Sequence, residues 1–264
     1  ASTYLLRDLA TIRYRKEQWK FAENLYVVDI RQSHHFKQVF RVAELLGLEG
    51  VGESKHIEFG FMKLPEGVLS TRKGNVNAFS LKTLVSVADK RAADIIKEKN
   101  PDLQDKEKII KQVALGAIKY FDLSHHRKSD IVFRWDQALS FEGDTGPYLQ
   151  YTHARLKSIL RKIGEYKPET IKEAKLDELE HRLLVSILRL PEAIEDALKD
   201  FTPNTLANYL HLLAQTANEF YHSHPVMQED DSEKKNLRAA LVYGAAVTLA
   251  GGLDLLGIEA PEEM

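Results

Sequence analysis

Leu5, Leu9 and Ile12 recur at helical spacing, which predicts an amphipathic helix over residues 4–20. The next apolar segment, Leu25-Tyr26-Val27-Val28-Asp29-Ile30, is short and nearly continuous, the pattern of a buried strand. Ser33 is placed to cap a helix through Phe36, Val39, Phe40, Ala43 and Leu46, with Gly47 to end it. This helix–strand–helix passage is of the doubly wound kind, in which ligands bind where strands end and the following helices begin. Arg31 to His35 occupies that position. A second strand is predicted over 56–62, and Pro65-Glu66-Gly67 makes a turn into an exposed polar loop from Leu69 to Asn75. Ser80 caps a helix from Leu81 towards Lys99, closed by Asn100-Pro101; another helix fits 106–122, and Ile131-Val132-Phe133 reads as a short extended piece.

Beyond this point the pattern is helical throughout. Glu142-Gly143-Asp144-Thr145-Gly146-Pro147 is the best candidate for an interdomain junction. Helical patterns follow over 148–163, 176–190, 191–199, 203–221 and 231–256, with Thr202 before Pro203 as an N-cap followed by a first-turn proline. Short connections between them predict an all-α bundle. The expected fold is mainly α with an α/β portion: a partial doubly wound nucleotide-binding fold over 1–145, then an α-helical bundle over 146–264. At 264 residues and 44% hydrophobic, the chain is long enough for two cores.

Composition narrows the chemistry. With no cysteine, disulfides, zinc knuckles and thiol catalysis are excluded, while ten histidines leave other metal sites open. The apolar stretches are short and interrupted by charge, and the N-terminus shows neither a basic leader nor an apolar signal core, so a soluble, cytoplasmic protein is expected, with no membrane partner. A formal charge of −2 lacks the basic excess of a general phosphate binder, so any RNA site must be local.

Four groupings carry candidate chemistry, and each has a plainer explanation. On a helical wheel Tyr4 and Asp8 share a face about 40° apart, beside the apolar stripe. A carboxylate there can take two parallel hydrogen bonds from a guanidinium and the phenol can add another, although a solvated helix face has the same pattern. Gln32, His34 and His35 follow the first strand, where an amide and an imidazole can orient an amino acid or a nucleotide, or simply cap a helix. Ser70-Thr71-Arg72-Lys73-Gly74 combines hydroxyls, cations and a glycine suited to gripping phosphate oxygens; it has no Walker A spacing, and a basic surface turn has the same composition. In the helix after Pro147, Tyr151, Arg155, Ser158 and Lys162 lie within about 60° of one another, opposite a core face of Leu149, Leu156, Ile159, Leu160 and Ile163. Such a stripe can stack on bases and hold phosphates, or it can be an ordinary solvated face.

Two histidine clusters are weaker. His125-His126-Arg127-Lys128 reads as a solvated turn rather than a phosphate contact. His222-Ser223-His224 has no carboxylate or third histidine at helix-face spacing, and Pro225 marks a helix end, so no protein-bound metal is expected.

Taken in order, several stretches resemble the arginyl-tRNA synthetases of class I. They are Tyr4-Leu5-Leu6-Arg7-Asp8, Tyr26-Val27-Val28 leading to Gln32-Ser33-His34-His35-Phe36, Leu69 to Asn75, Ser129 to Phe133, Gly143 to Tyr151 with His153-Ala154-Arg155, Asn218 to Pro225, and Gly252 to Pro261. The resemblance implies the end of a class I catalytic domain followed by an anticodon-binding domain. It implies that Tyr4, Asp8 and Gln32 recognise the guanidinium of substrate arginine and that His35 lies by the ATP site. The segment Ser70, Thr71, Arg72, Lys73, Gly74 is similar to the mobile catalytic loop that steadies ATP phosphates, with Leu69 where methionine is usual and a departing stretch at Asn77-Ala78-Phe79-Ser80. Tyr151 and Arg155 match positions that meet the anticodon loop; Tyr221 and Met264 are similarly placed. The partners implied are tRNA(Arg), L-arginine and ATP with Mg2+, in a full-length form that is monomeric and attaches arginine to its tRNA.

One departure is an absence: His-x-Gly-His, the first class I signature, occurs nowhere. The chain therefore reads as a fragment with negligible turnover of its own. Rival readings are a non-catalytic RNA-binding module derived from a synthetase, and a purely structural helical interaction domain.

Overall fold

The computed structural model describes residues 4–63, 81–100, 103, 105–164 and 175–264. Two compact units make up the chain: residues 1–62 with 127–131, and residues 63–126 with 132–264. The Ser70–Gly74 loop, Ser80 and the 77–80 stretch lie outside the described residues.

The first unit is built on α1 (Tyr4–Trp19), β1 (Asn24–Asp29), a single 3-10 turn (Ile30–Gln32), α2 (Ser33–Leu45) and β2 (Ser54–Phe59). β1 and β2 run parallel in a register that sets Asn24 opposite Ser54 and Asp29 opposite Phe59. A parallel pair needs a crossover, and α2 supplies it. Leu9 and Ile12 of α1, Tyr26 of β1, and Phe36, Val39 and Ala43 of α2 form the core. β1 departs from the expected fully buried strand. Tyr26 is buried, but Leu25 and Val27 are 40% and 65% exposed, because only one face of the pair is covered by these helices. Ser33 is also not the N-cap of α2. It is the first residue of α2, with its hydroxyl 2.6 Å from the Ile30 carbonyl and 2.8 Å from Glu58, while Gln32 holds the cap position without a side-chain bond. The second expected strand stops at Phe59; the Gly60 N–H then donates to the Arg127 carbonyl and the Ile131 N–H to the Phe61 carbonyl.

The second unit contains α3 (Leu81–Lys99), α4 (Lys106–Leu123), α5 (Trp135–Ala138), α6 (Gly146–Ile163), α7 (Glu178–Leu188), α8 (Leu190–Asp200), α9 (Pro203–Ser223) and α10 (Ser232–Leu255). Its larger core joins Leu149, Leu156 and Leu160 of α6 to Leu210, Leu213 and Phe220 of α9 and Val242, Leu249 and Leu253 of α10. A smaller one joins Ala88, Ala92 and Ile96 of α3 to Ile109, Val113 and Ala117 of α4. α4 and α6 approach closely through glycine: a Cβ on Gly146 would stand 2.5 Å from the Gly116 carbonyl oxygen. Start signals are explicit for several helices. Thr145 accepts from the Tyr148 N–H, Asp177 and Glu180 form a reciprocal capping box, and Asp231 accepts from the Glu233 and Lys234 N–H groups. Thr202 holds the N-cap position of α9, but its hydroxyl pairs with that of Thr205 and not with the backbone.

Candidate functional site

Two groups of candidate residues converge, one in each unit. In the first, Asp8 lies on α1 and His35 on the opening turn of α2, and the His35 Nε2 is 2.7 Å from the Asp8 carboxylate. Both side chains are little more than a quarter exposed. The packing of α1 on α2 through Leu9, Ile12 and Phe36 makes the meeting possible, since it sets the polar flank of each helix beside the shared core. Tyr4, one turn before Asp8, is 80% exposed, and Gln32 is exposed at the end of the 3-10 turn. Near the C-terminal end of β1, Arg31 chelates Asp29 and lies 3.7 Å above the Phe61 ring. Its guanidinium holds the Asp29 carboxyl below its usual range. Glu58 of β2 is held down to about 2 by hydrogen bonds from Lys128 and then Ser33.

In the second unit, Tyr151, Arg155, Ser158 and Lys162 of α6, Tyr221 of α9 and Met264 line one cleft of about 410 Å³. The Arg155 guanidinium lies 4.9 Å from the Tyr151 ring centre and 5.3 Å from that of Tyr221. Helix periodicity puts the four α6 residues on one face, and the burial of Leu149, Leu156, Ile159 and Leu160 turns that face outward. Met264 is brought to the cleft by a pinned terminal segment. The Gln150 amide donates to the Glu259 carbonyl at 2.8 Å, His153 Nδ1 to Pro261 at 2.8 Å, Arg161 to Glu262 at 3.0 Å, and Asn100 to the Met264 oxygen at 3.2 Å. Burial pushes the His153 imidazole below its usual value.

Comparison with known proteins fits this geometry. Residues 1–135 match the family described as tRNA synthetases class I (R), catalytic domain, and residues 149–264 match the DALR anticodon binding domain. The chain belongs to the class I arginyl-tRNA synthetase family. Arginine–tRNA ligases of Clostridium acetobutylicum and Alkaliphilus metalliredigens are 39% and 41% identical to it over 264 and 265 aligned residues. The alignments cover 100% of this chain and 46% of each of those proteins, so the chain spans about half the length of these curated relatives. Among solved structures, the Thermus thermophilus arginyl-tRNA synthetase superposes with a TM-score of 0.89 at 34% identity, covering 100% of this chain and 50% of that one. The Plasmodium falciparum enzyme gives 0.81 at 26% identity, covering 100% and 45%.

Within this synthetase framework some polar groups were hidden from a sequence reading. The basic run at 125–128 is partly spent on Glu58: Arg127 donates to its carbonyl at 2.6 Å and Lys128 pairs with its carboxylate at 2.6 Å. Asp177 and Glu180 reach His224 from another helix, their ligand atoms within 4.8 Å of one another. Spacing around His224 gave no sign of these carboxylates because Asp177 is 47 positions away. Both carboxylates already carry hydrogen bonds within the protein. Asp177 caps α7 and accepts from His224, while the fully buried Glu180 accepts from its own cap and from Arg238. The side-chain bonds of Asn100 and Asn218 also escaped notice, the first being read only as a helix end and the second only as the start of a matching stretch. An isolated asparagine carries no periodic signal, and both act through residues more than 60 positions away.

Proposed function

We propose that the chain supplies the arginine-recognition residues, the ATP-phosphate loop and the anticodon-binding bundle of an arginine–tRNA ligase. The observation that carries this reading is the convergence of Tyr151, Arg155, Tyr221 and Met264, from two helices and the terminal segment, on one cleft. The cleft has what single-stranded RNA needs: aromatic faces on which a splayed base stacks, worth roughly 1–3 kcal/mol each, and cations to grip phosphates or base edges. Local placement also accommodates the chain's formal charge of −2.

On the catalytic side, Asp8 supplies charge selection for the substrate guanidinium, with Tyr4 and Gln32 fixing its orientation. The hydrogen bond from His35 steadies the Asp8 carboxylate and places the imidazole beside the same site. In the full-length protein the arginine carboxylate attacks the ATP α-phosphate and expels pyrophosphate. The tRNA terminal hydroxyl then attacks the adenylate carbonyl and expels AMP. The Ser70–Gly74 loop neutralises phosphate charge during the first step, with Mg2+ accompanying ATP. The working division falls between residues 145 and 146, where Thr145 caps α6, the helix that carries the stripe from Tyr151 to Lys162. A monomeric full-length form acting in the cytoplasm completes the reading; no described helix is long and apolar enough to cross a membrane.

Tyr151→Ala together with Arg155→Ala tests the cleft. Affinity for a tRNA(Arg) transcript at fixed moderate salt should fall by about 2 kcal/mol or more, the sum of one lost stack and one lost cation. Binding equal to that of the parent chain would remove the cleft from RNA recognition.

A further inference from the structure

Asn218 of α9 is absent from the described residues that line the cleft, yet each polar group of its side-chain amide is engaged beneath it. Its Oδ1 accepts from Arg155 Nη1 at 3.2 Å, and its Nδ2 donates to the Tyr148 hydroxyl at 3.0 Å and to Thr152 Oγ1 at 2.9 Å. Thr152 is in turn fixed, since its hydroxyl donates to the Tyr148 carbonyl at 2.8 Å and the residue is 1% exposed. Both amide protons are therefore committed to α6, and the oxygen has one direction left, towards the guanidinium. A flipped amide would set its protons against those of Arg155.

We propose that Asn218 is the positioning residue that holds the Arg155 guanidinium in the RNA-facing cleft beside Tyr151 and Tyr221. The inference rests on the anticodon-binding reading of that cleft. An arginine side chain has many rotamers, and a binding partner that must order one loses affinity in doing so. Here the ordering is done in advance. Arg155 Nη1 is tied to Asn218, Nη2 lies 3.4 Å from the Tyr151 hydroxyl, and the guanidinium is within cation–π range of two rings. Asn218 and Tyr221 are three positions apart on α9, so the helix turn that carries the stacking ring also carries the anchor.

A double-mutant cycle separates this role from general support of the bundle. The full 264-residue chain is titrated against a labelled tRNA(Arg) transcript at one fixed salt. Arg155→Ala should weaken binding about tenfold and Asn218→Ala by a similar factor, each near the value of one charge-assisted contact. The double variant should bind within about twofold of Arg155→Ala, because an anchor has nothing to hold once the guanidinium is gone. A merely structural asparagine predicts a further loss in that background. Tyr148→Phe keeps the ring and removes one partner of the amide, which covers the case in which Asn218→Ala does not fold. It should cost about two- to threefold with Arg155 present and nothing measurable without it. If the Arg155 and Asn218 losses add, or if Asn218→Ala binds as the parent while Arg155→Ala is impaired, the positioning role is wrong and the anticodon reading stands. If Arg155→Ala itself binds as the parent, the anticodon reading falls and takes this inference with it.

Discussion

Asp8 and His35 meet through tertiary packing that neither residue's local sequence specifies. Wheel geometry sets Asp8 beside Tyr4 and sheet-end position marks His35, but the 2.7 Å contact between them depends on the way α1 packs on α2, 27 positions apart in sequence. Under the proposed arginine-recognition role, Asp8→Ala in the full-length protein should cost about 2–5 kcal/mol in arginine recognition, the range for removing one partner of a desolvated charge pair. Arginine kcat/KM measures it, and an unchanged value would reject the assignment. His153 yields a pH prediction. Its imidazole is lowered from 6.5 by burial, so the unfolded chain takes up a proton near 6.5 and the folded one only at lower pH. The stability it contributes is complete above about pH 6.5 and is lost as pH falls from there towards the depressed value. His153→Asn keeps a donor for the Pro261 carbonyl but cannot titrate, so the decline in melting temperature between about pH 7 and pH 5 should flatten in that variant. A parallel decline in both proteins would place the proton uptake elsewhere.

At the scale of elements, the helices are the most legible part of the sequence. α6 buries the apolar face that its spacing predicts, and α9 and α10 start where Pro203 and Asp231 place them. Strand β1 is less legible. An unbroken apolar run looks the same whether one face or both are covered, and the 65% exposure of Val27 is decided by neighbours, not by the segment itself. Caps read as residue types also miscarry where a hydroxyl finds a better partner, as Ser33 does with Glu58 and Thr202 with Thr205. Contacts between helices leave the weakest trace. Nothing local to Gly146 announces that it faces the Gly116 carbonyl, yet Gly146→Ala would force a Cβ to 2.5 Å from that oxygen. It should destabilise the second unit by about 1–3 kcal/mol, the usual cost of overpacking, seen as a lower melting temperature with little change in helical signal. A wild-type melting temperature would mean that α4 and α6 separate at no cost.

For the whole molecule, the near-neutral charge is the misleading feature and the ordered series of motifs the informative one. A formal charge of −2 gives no hint of the cleft at Tyr151 and Arg155, whose cations are few and set among aromatic rings. The convergence of Tyr151, Arg155, Tyr221 and Met264 was implied only by the resemblance of the whole chain to a family; periodicity alone groups the first two and says nothing of the others. The anchors of the terminal segment, Asn100, Gln150 and His153, were not legible because each holds a main-chain carbonyl more than 100 positions away. The most direct measurement is to incubate the chain with total tRNA at a fixed moderate salt and sequence what it retains, since protein–RNA affinity is defined only at a stated salt. Enrichment of arginine acceptors, lost on replacing Tyr151 and Arg155, is the predicted result. Retention of tRNAs in their input proportions, or of none, would contradict anticodon recognition by this cleft.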